Sequence, residues 1–345
     1  MDHDRGMTVR WGVAGTGTVA GKAMRDLALV PGAVLAAVGS RSAERASAFA
    51  AEHTAAAGPG RAPAAYGSYR GLVGDPGVDV VYVATPHPQH RAVALAALAA
   101  GKAILVEKSF TVTPAATREI VAAAGAARRF AMEAMWTRFF PAVVRLRELV
   151  ADGAIGEVCA VTADLGLRHP VDPATQSYRP EQGDGLLFHL GVYPYPVSFA
   201  QMMLGTPEAV VAHGVRHASG VDVEESVLLR YPGGRSALLF ASLRSPAPGE
   251  ARVLGTGGWI RVPPRFHYPS RLVLHRTGRD PETIDIPFRG GGYAHELAEV
   301  TACVAAGQLE SEIMPLAGTV AVQDVLAEIA SQLSLRVIEG PAELP

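Results

Sequence analysis

The amino-acid sequence predicts an α/β protein of two domains: a parallel sheet covered by helices, followed by an α+β domain with a large, mostly antiparallel sheet. In the first part of the chain, short apolar runs alternate with helical stretches, which is typical of a doubly wound parallel sheet. In the second part, apolar segments follow one another with only Gly- and Pro-containing turns between them, which favours antiparallel pairing. The length of 345 residues also exceeds that of an ordinary single domain.

The N-terminal elements begin with an apolar strand at Val9–Ala14, followed by a helical stretch that extends to about Val30. A second strand at Val34–Val38 completes a strand–helix–strand unit of about 30 residues. The alternation then continues through a helix at Ser42–His53, a strand at Val78–Ala84, a helix at Pro88–Ala100, a strand at Ala103–Glu107, a helix at Pro114–Arg128 and a strand that starts at Phe130. We therefore place the first domain at residues 1–130.

The second domain, residues 131–345, is predicted to be α+β. Its predicted helices are Pro141–Asp152, Gly185–Leu204, Tyr293–Ala306 and Leu316–Ile338, and its first strand is Val158–Leu167. The remaining predicted strands are Val210–Val215, Val223–Tyr231, Ser236–Leu243, Arg252–Leu254, Trp259–Val262, Leu272–Arg276 and Thr283–Ile286. Hairpin-type connections at Pro232-Gly233-Gly234 and Thr256-Gly257-Gly258 support antiparallel pairing of the strands that they join.

The composition excludes several classes of protein. Hydrophobic residues make up 49% and charged residues 19%, as in ordinary globular proteins, and the net charge of −2 provides no basic field for a nucleic acid or an anionic membrane. Two cysteines exclude a disulfide framework and a Cys-rich metal site. The polar first residues do not resemble a signal peptide, and no apolar run reaches the roughly 18 residues of a membrane span. We therefore expect a cytoplasmic protein that binds small molecules.

A dinucleotide-binding motif lies directly after the first strand, where Gly15-x-Gly17-x-x-Ala20 opens the first helix. In this motif the first glycine makes the tight turn, the second lets the backbone approach a pyrophosphate, and the small third residue lets helix and strand pack closely. The N–H groups of the helix N-terminus then face the phosphates. The first domain is thus predicted to be a Rossmann dinucleotide-binding domain, with the phosphates bound by residues 15–19: Gly15, Thr16, Gly17, Thr18 and Val19.

The end of the second strand bears on the choice of cofactor. Proteins that bind NAD usually place a carboxylate there, on the ribose hydroxyls, whereas this chain has Ser40 and Arg41. A serine hydroxyl can bond a phosphate, and a guanidinium can pair with the 2′-phosphate or stack on the adenine. We therefore predict NADP in preference to NAD. The structural alternative is that Arg41 is an ordinary surface residue at the start of a helix.

Further motifs carry a resemblance to a known family. They are Ala84-Thr85-Pro86-His87-Pro88-Gln89-His90, Gly101-Lys102, Val106-Glu107-Lys108, the block Met132-Glu133-Ala134-Met135-Trp136-Thr137-Arg138-Phe139-Phe140-Pro141, and Gly183–Pro194. With these motifs the chain resembles the glucose–fructose oxidoreductase/inositol dehydrogenase (Gfo/Idh/MocA) family from Val9 to about Leu335. Within that family it is similar to the branch of dimeric dihydrodiol dehydrogenases and NADP-dependent D-xylose dehydrogenases.

The resemblance implies a fold, a reaction and a set of site residues. It implies a Rossmann domain and an open-faced sheet domain through which the chain forms a homodimer or a higher homo-oligomer. It also implies hydride transfer between a nicotinamide and a secondary alcohol, with Lys108 and Tyr193 as the catalytic pair and Trp136 in the substrate pocket. Cofactor contacts are implied for Thr85, Pro86, His87, His90, Glu107, Lys108 and, through a weaker match, Arg179.

The chemistry of this catalytic pair can be argued independently. Oxidation of an alcohol requires a base for the hydroxyl proton, and a tyrosine with a pKa near 10 is a poor base at neutral pH. A neighbouring ammonium group favours the phenolate and lowers that pKa. We therefore expect Tyr193 to be the acid–base and Lys108 its modulator, although the roles could be reversed. The alternatives are a tyrosine that only packs in its helix and a lysine that only lies at a strand end.

Three positions depart from the family pattern. Ser109 follows Lys108 where proline is usual, Asp184 interrupts a glycine triplet, and His189 stands where the family usually has aspartate. His189 and Tyr193 are four residues apart and would share one face of a helix. His189 is therefore a candidate catalytic and substrate-binding residue, and its alternative role is a buried structural histidine.

The sequence thus predicts an NADP-dependent oxidoreductase acting on a cyclic diol, an aldose or a sugar-like alcohol. Two alternatives stay open: a ketoreductase of a nucleotide-activated sugar or an inosose, and a non-catalytic sensor that binds the dinucleotide. No metal site is predicted, since the histidine pairs His87/His90 and His213/His217 have no obvious third ligand.

Overall fold

The structure is a computed structural model that describes residues 8–167, 194–341, 343 and 344. The chain divides into two compact units. Unit 1 comprises Met1–Trp136, Arg289–Thr319 and Glu339–Pro345, and unit 2 comprises Thr137–Phe288 and Val320–Ile338. Among the described residues no helix is both long enough and apolar enough to span a bilayer.

Unit 1 contains a six-stranded parallel sheet. Its strands are β1 (Val9–Ala14), β2 (Ala33–Gly39), β3 (Ala64–Tyr66), β4 (Val80–Val83), β5 (Ala103–Glu107) and β6 (Ala131–Ala134), in the order β3-β2-β1-β4-β5-β6. All neighbouring pairs are parallel. The central strands β4 and β5 are buried at every residue, which explains why they are continuous apolar runs rather than alternating ones. The predicted doubly wound parallel sheet is confirmed.

The described helices follow the predicted alternation closely. They are α1 (Thr18–Leu27), α2 (Ala43–Glu52), α3 (Thr54–Ala57), α4 (Tyr69–Val73), α5 (His90–Ala99), α6 (Pro114–Ala127), α7 (Pro141–Ala151), α8 (Pro194–Leu204), α9 (Tyr293–Ala305) and α10 (Leu316–Gln332). The sequence analysis did not predict α4, which Ser68 caps by accepting a hydrogen bond from the Gly71 N–H at 3.1 Å, or the three-residue edge strand β3. The last helix is also shorter than predicted, because Ser334 adopts a left-handed conformation with φ of 52°.

Unit 2 contains an eight-stranded sheet. Its strands are β7 (Val158–Gly166), β8 (Ala209–Arg216), β9 (Asp222–Arg230), β10 (Ser236–Ser242), β11 (Ala251–Gly255), β12 (Gly258–Val262), β13 (Arg271–Arg276) and β14 (Glu282–Asp285), in the order β14-β13-β12-β11-β7-β10-β9-β8. Among the described strands of this second sheet, only the pair β7–β10 is parallel, so the predicted mostly antiparallel sheet is confirmed. Helix α8 packs on β7 and β10. Val211 and Leu238, which are more than half exposed, belong to a shallow depression of about 520 Å³ on the sheet.

The segment around α9 belongs to unit 1, although the sequence analysis assigned all of residues 131–345 to the second domain. The carboxylate of Asp26 in α1 accepts hydrogen bonds from the backbone N–H groups of Gly291, Tyr293 and Ala294 at 2.9, 2.8 and 3.2 Å. The Trp11 indole N–H donates to the Thr301 hydroxyl at 3.3 Å. These long-range bonds attach α9 to β1 and α1, and no local sequence pattern reports them. The assignment of cofactor binding to residues 1–130 and of substrate binding to residues 131–345 stays a prediction.

Candidate active site

Most of the described candidate residues lie at one edge of the parallel sheet. Gly15 follows β1, Ser40 follows β2, Thr85 lies two residues beyond β4, and Lys108 follows β5. Because these strands are parallel, their carboxyl ends meet at one edge, where open α/β sheets bind their ligands. The strand order also reverses between β1 and β4, so the Gly15 turn and the Thr85 loop flank the switch point of the sheet.

The turn between β1 and α1 has room for a pyrophosphate. Gly15 has φ of 113°, and a Cβ atom there would collide with the Ala84 carbonyl oxygen. A Cβ atom on Gly17 would meet nothing within 4 Å, and no side chain caps the N-terminus of α1. Thr16, Thr18 and Val19 complete this turn, with the first turn of α1 free of acidic side chains. The residues present therefore fit the phosphates of a dinucleotide.

Ser40 and Arg41 differ in their surroundings. Ser40 is buried, and its hydroxyl oxygen accepts a hydrogen bond from the Ser42 N–H at 3.4 Å. Arg41 is exposed, and no hydrogen bond or salt bridge to another described residue holds its guanidinium group. Arg41 lies close enough to Tyr69 that its charge opposes the upward shift that burial causes in the pKa of the Tyr69 hydroxyl. An exposed arginine without a structural partner is available to a ligand at the end of β2.

The loop after β4 is tied to the segment after β5. His87 Nε2 lies 2.5 Å from the Ser109 carbonyl oxygen, and the two ring nitrogens of His90 lie 3.0 Å from the Thr85 carbonyl oxygen and 3.3 Å from that of Phe110. Burial lowers the pKa of His90 to about 4, so this side chain is neutral at physiological pH. The side chain of His90 thus braces the loop from inside. The Thr85 hydroxyl is buried and has no hydrogen-bond partner among the described residues, so it is available to a ligand such as a ribose hydroxyl.

Lys108 is surrounded by acidic groups. Burial lowers the pKa of Lys108, and the charges of Glu107 and Glu133 oppose that shift. The Tyr82 hydroxyl donates a hydrogen bond to the Glu107 carboxylate. Burial raises the pKa of Glu107, while the charge of Lys108 opposes the rise. The Lys108–Ser109 peptide bond is cis. A partly buried lysine with a lowered pKa is suited to hold or release a proton.

Trp136 stacks on an aromatic residue that sequence reasoning missed. Its ring lies 4.5 Å from that of Tyr293, between centroids, with an angle of 23° between the planes. Tyr293 opens α9, whose position in unit 1 depends on Asp26. Sequence reasoning also missed Tyr82. Nothing in their local sequence marks them, because they meet the site only through the packing of β4 and α9.

Other predicted site residues fall outside the described part of the chain. Arg179, His189 and Tyr193 are among these, so their roles stay predictions. Within the described ranges, no group of three or more His, Cys, Asp or Glu side chains could hold a metal ion.

Comparisons with known proteins cover nearly the whole chain. Residues 9–134 match the family described as "Oxidoreductase family, NAD-binding Rossmann fold", and residues 143–261 match the "GFO/IDH/MocA C-terminal domain". The chain is 33% identical over 341 residues to a trans-1,2-dihydrobenzene-1,2-diol dehydrogenase from Xenopus laevis, with 95% of this chain and 99% of the relative covered. The proteins of the same name from Bos taurus and Mus musculus are 36% and 37% identical, over 95% and 93% of this chain and 98% and 96% of theirs.

Solved structures share the fold. An aldose-aldose oxidoreductase from Caulobacter crescentus, complexed with glycerol, superimposes with a TM-score of 0.83 at 24% identity and covers 95% of this chain and 98% of its own. A 3-ketoreductase from Actinomadura kijaniata, in complex with NADP and TDP-benzene, superimposes with a TM-score of 0.80 at 23% identity and covers 94% and 97%.

Proposed function

Because the chain belongs to the Gfo/Idh/MocA oxidoreductase family, we propose that it is an NADP-dependent dehydrogenase that oxidises a secondary alcohol of a cyclic diol or a sugar-like substrate to a carbonyl group. The observation that carries this proposal is the meeting of the Gly15–Gly17 turn, the Thr85 loop and Lys108 at the carboxyl edge of the sheet in unit 1.

The preference for NADP is supported by Arg41. This guanidinium group stands at the end of β2, where a carboxylate would favour the ribose hydroxyls of NAD, and it has no structural partner among the described residues. A planar guanidinium group can pair with a phosphate through two parallel hydrogen bonds. Ser40, which directly precedes it, has a hydroxyl group that could bond the same phosphate.

The substrate class is drawn from the relatives. Proteins named trans-1,2-dihydrobenzene-1,2-diol dehydrogenase match the chain over almost its full length at 33% identity and above, which favours a trans-diol on an unsaturated six-membered ring. An aldose remains within the proposed class, because a cyclic sugar also presents adjacent hydroxyl groups on a six-membered ring.

Residues of this chain would remove the proton of the substrate hydroxyl group. When bound, NADP would supply the hydride acceptor. The substrate hydroxyl must lose its proton as the C–H bond breaks, and we assign that proton to Tyr193, with Lys108 favouring the phenolate form of the tyrosine. Trp136 and Tyr293 would provide an apolar wall that suits a ring substrate.

The proposal is tested by steady-state kinetics with NADP and NAD on a substrate panel. The panel contains trans-dihydrodiols, aldoses, inositols and TDP-linked sugars, each assayed in both directions. We expect NADP-dependent oxidation of a trans-diol or an aldose, with Lys108→Met as the inactive control. Turnover confined to the reduction of TDP-linked keto sugars would replace this function with that of a sugar ketoreductase. Tight NADP binding without turnover on any panel member would favour a sensor.

We also propose that the sheet of unit 2 pairs with a second copy of the chain. Val211 on β8 and Leu238 on β10, the two strands that flank β9, leave apolar surface in water, and large exposed apolar patches mark interaction sites. Light scattering after size exclusion is expected to report a dimer, and Leu238→Asp is expected to yield monomer. A wild-type protein that is monomeric at all concentrations would refute this proposal.

A further inference from the structure

Residues 339–341 belong to unit 1 and contact the loop after β4. A Cβ atom on Gly340 would collide with the Pro88 carbonyl oxygen and would lie 2.9 Å from the Pro88 carbonyl carbon. The φ of Gly340 lies outside the left-handed region, so lack of space rather than backbone conformation requires a glycine here. The backbone of the 339–341 segment therefore rests directly on the backbone of the loop, an approach that only glycine permits.

Further contacts attach the chain to unit 1 on both sides of Gly340. The Glu339 carboxylate accepts a hydrogen bond from the Thr113 hydroxyl at 3.4 Å, and it lies 3.7 Å from the Arg91 guanidinium group of α5. Leu344 is partly buried against an apolar cluster to which α5 and α6 both contribute. The 339–341 segment is thus held against unit 1 and cannot move freely away from the loop.

Pro88 lies between the two histidines that fix the loop from inside. His87 bonds the Ser109 carbonyl oxygen on one side of Pro88, and His90 bonds the Thr85 carbonyl oxygen on the other. Pro88 itself is buried. Because a closely packed interior transmits strain, a push on Pro88 passes to the whole loop, including the buried Thr85 hydroxyl.

We propose that Gly340 is a positioning residue for the Thr85–His90 loop, because its contact with Pro88 fixes the outer side of the loop in the conformation that receives the dinucleotide. The role toward the dinucleotide rests on the proposed function, whereas the contact between Gly340 and Pro88 does not. A displaced loop binds the dinucleotide more weakly, because part of the binding free energy then goes into restoring the loop.

Hydrogen–deuterium exchange of the cofactor-free protein tests the contact without any substrate. Gly340→Ala should raise the exchange rate of the loop amides about tenfold, including that of Gln89, which donates to the Pro86 carbonyl oxygen at 2.9 Å. Gly125→Ala is the matched control on α6 of the same unit, since a Cβ atom there meets nothing within 4 Å. The loop of that variant should exchange at the wild-type rate.

Fluorescence titration with NADP tests the role toward the cofactor. Gly340→Ala should raise the dissociation constant about tenfold, because the added methyl group forces the loop out of place, and Gly125→Ala should leave it unchanged. The titration is made well below the melting temperature of each variant. A purely structural role for Gly340 would lower the melting temperature and leave the dissociation constant at the wild-type value.

Glu339→Lys provides a second variant if Gly340→Ala does not fold. It places a like charge beside Arg91, so the 339–341 segment should detach and the dissociation constant for NADP should rise about two- to fivefold. The added positive charge would by itself favour an anionic cofactor, so it cannot cause the weaker binding. The double variant should bind NADP as Glu339→Lys alone does, because a detached segment no longer pushes on Pro88.

Each outcome bears on a different part of the proposal. Wild-type exchange in the loop of both Gly340→Ala and Glu339→Lys, together with wild-type NADP affinity, would overturn it. Faster exchange with unchanged affinity would remove the role toward the dinucleotide. A wild-type protein that binds NADP but turns over no substrate would count against the proposed function alone, and one that binds neither NADP nor NAD would overturn both.

Discussion

Replacement of Arg41 by alanine tests the choice of cofactor most directly. Arg41 is exposed and forms no hydrogen bond or salt bridge with another described residue, so Arg41→Ala should leave folding intact. Its charge also acts on the Tyr69 hydroxyl, whose pKa burial raises, so that group stays neutral with or without Arg41. The change therefore removes a guanidinium group without disturbing the end of β2.

The expected magnitude follows from the strength of charged hydrogen bonds. Such bonds contribute about 1.5–3 kcal/mol, which corresponds to about a 10- to 100-fold loss of NADP affinity. Because Arg41 is exposed, solvent screening places the expected loss nearer tenfold than hundredfold. The affinity for NAD, which lacks the 2′-phosphate, should change less than about twofold, because no charged bond to that group is lost.

Cofactor dissociation constants for NADP and NAD, measured by fluorescence titration at two salt concentrations, provide the assay. Arg45→Ala is the matched control, since Arg45 is an exposed arginine one turn along α2. We expect the NADP loss in Arg41→Ala to shrink as salt rises and Arg45→Ala to resemble the wild type. Equal losses for NADP and NAD, or no loss for either, would refute the assignment of Arg41 to the 2′-phosphate.

Three further predictions address the fold and the site. Asp26→Ala leaves three backbone N–H groups at the N-terminus of α9 without their acceptor and should lower the free energy of unfolding by about 2–4 kcal/mol. Asp26→Asn should lower it by less. An Asp26→Ala variant as stable as the wild type in urea titrations would contradict this prediction. His90 has a pKa of about 4 in the folded protein, against about 6.5 in an unfolded chain, so as the pH falls the unfolded chain takes up the proton before the folded one does. The free energy of unfolding should therefore fall between about pH 6.5 and 4, by about 3 kcal/mol in all. His90→Asn should be less acid-sensitive, and a wild-type stability that is flat over this range would contradict the prediction. Lys108→Met should lower kcat by about 10²- to 10⁴-fold without lowering the melting temperature, and a kcat within threefold of the wild type would exclude Lys108 from proton transfer.

The sequence predicted most of the first sheet because the relevant signals are local. The motif at Gly15–Ala20 requires a strand before it and a helix after it, and the apolar runs of buried parallel strands stand out from the helices between them. Each described candidate at the carboxyl edge was found because it follows a strand end. The short strand β3 was missed because three residues at a sheet edge carry too little pattern.

The rest of the site depends on contacts between distant parts of the chain. Asp26 and Tyr293 are separated by 267 positions, and the carboxylate that caps α9 comes from α1 rather than from a residue next to the helix. Glu296, in the first turn of α9 itself, does not supply that cap; it is buried, and its Oε2 atom has no hydrogen-bond partner among the described residues. The buried pair of Tyr82 and Glu107 is similarly a product of the sheet register, which aligns β4 with β5.

The attachment of α9 to unit 1 has a consequence for synthesis of the chain. A ribosome that has completed Trp136 has made every strand of the first sheet, yet Arg289–Thr319 of the same unit is still to come. At about 5–20 residues per second, the roughly 150 residues in between take about 8–30 s to make. During that interval Asp26 has no helix to cap and Trp11 has no hydroxyl partner, so the nascent sheet exposes the surface that α9 later covers. A fragment that stops at residue 136 would keep that surface exposed permanently. In a rearranged gene that places residues 289–319 directly after residue 136, the ribosome would make α9 immediately after the sheet that it covers.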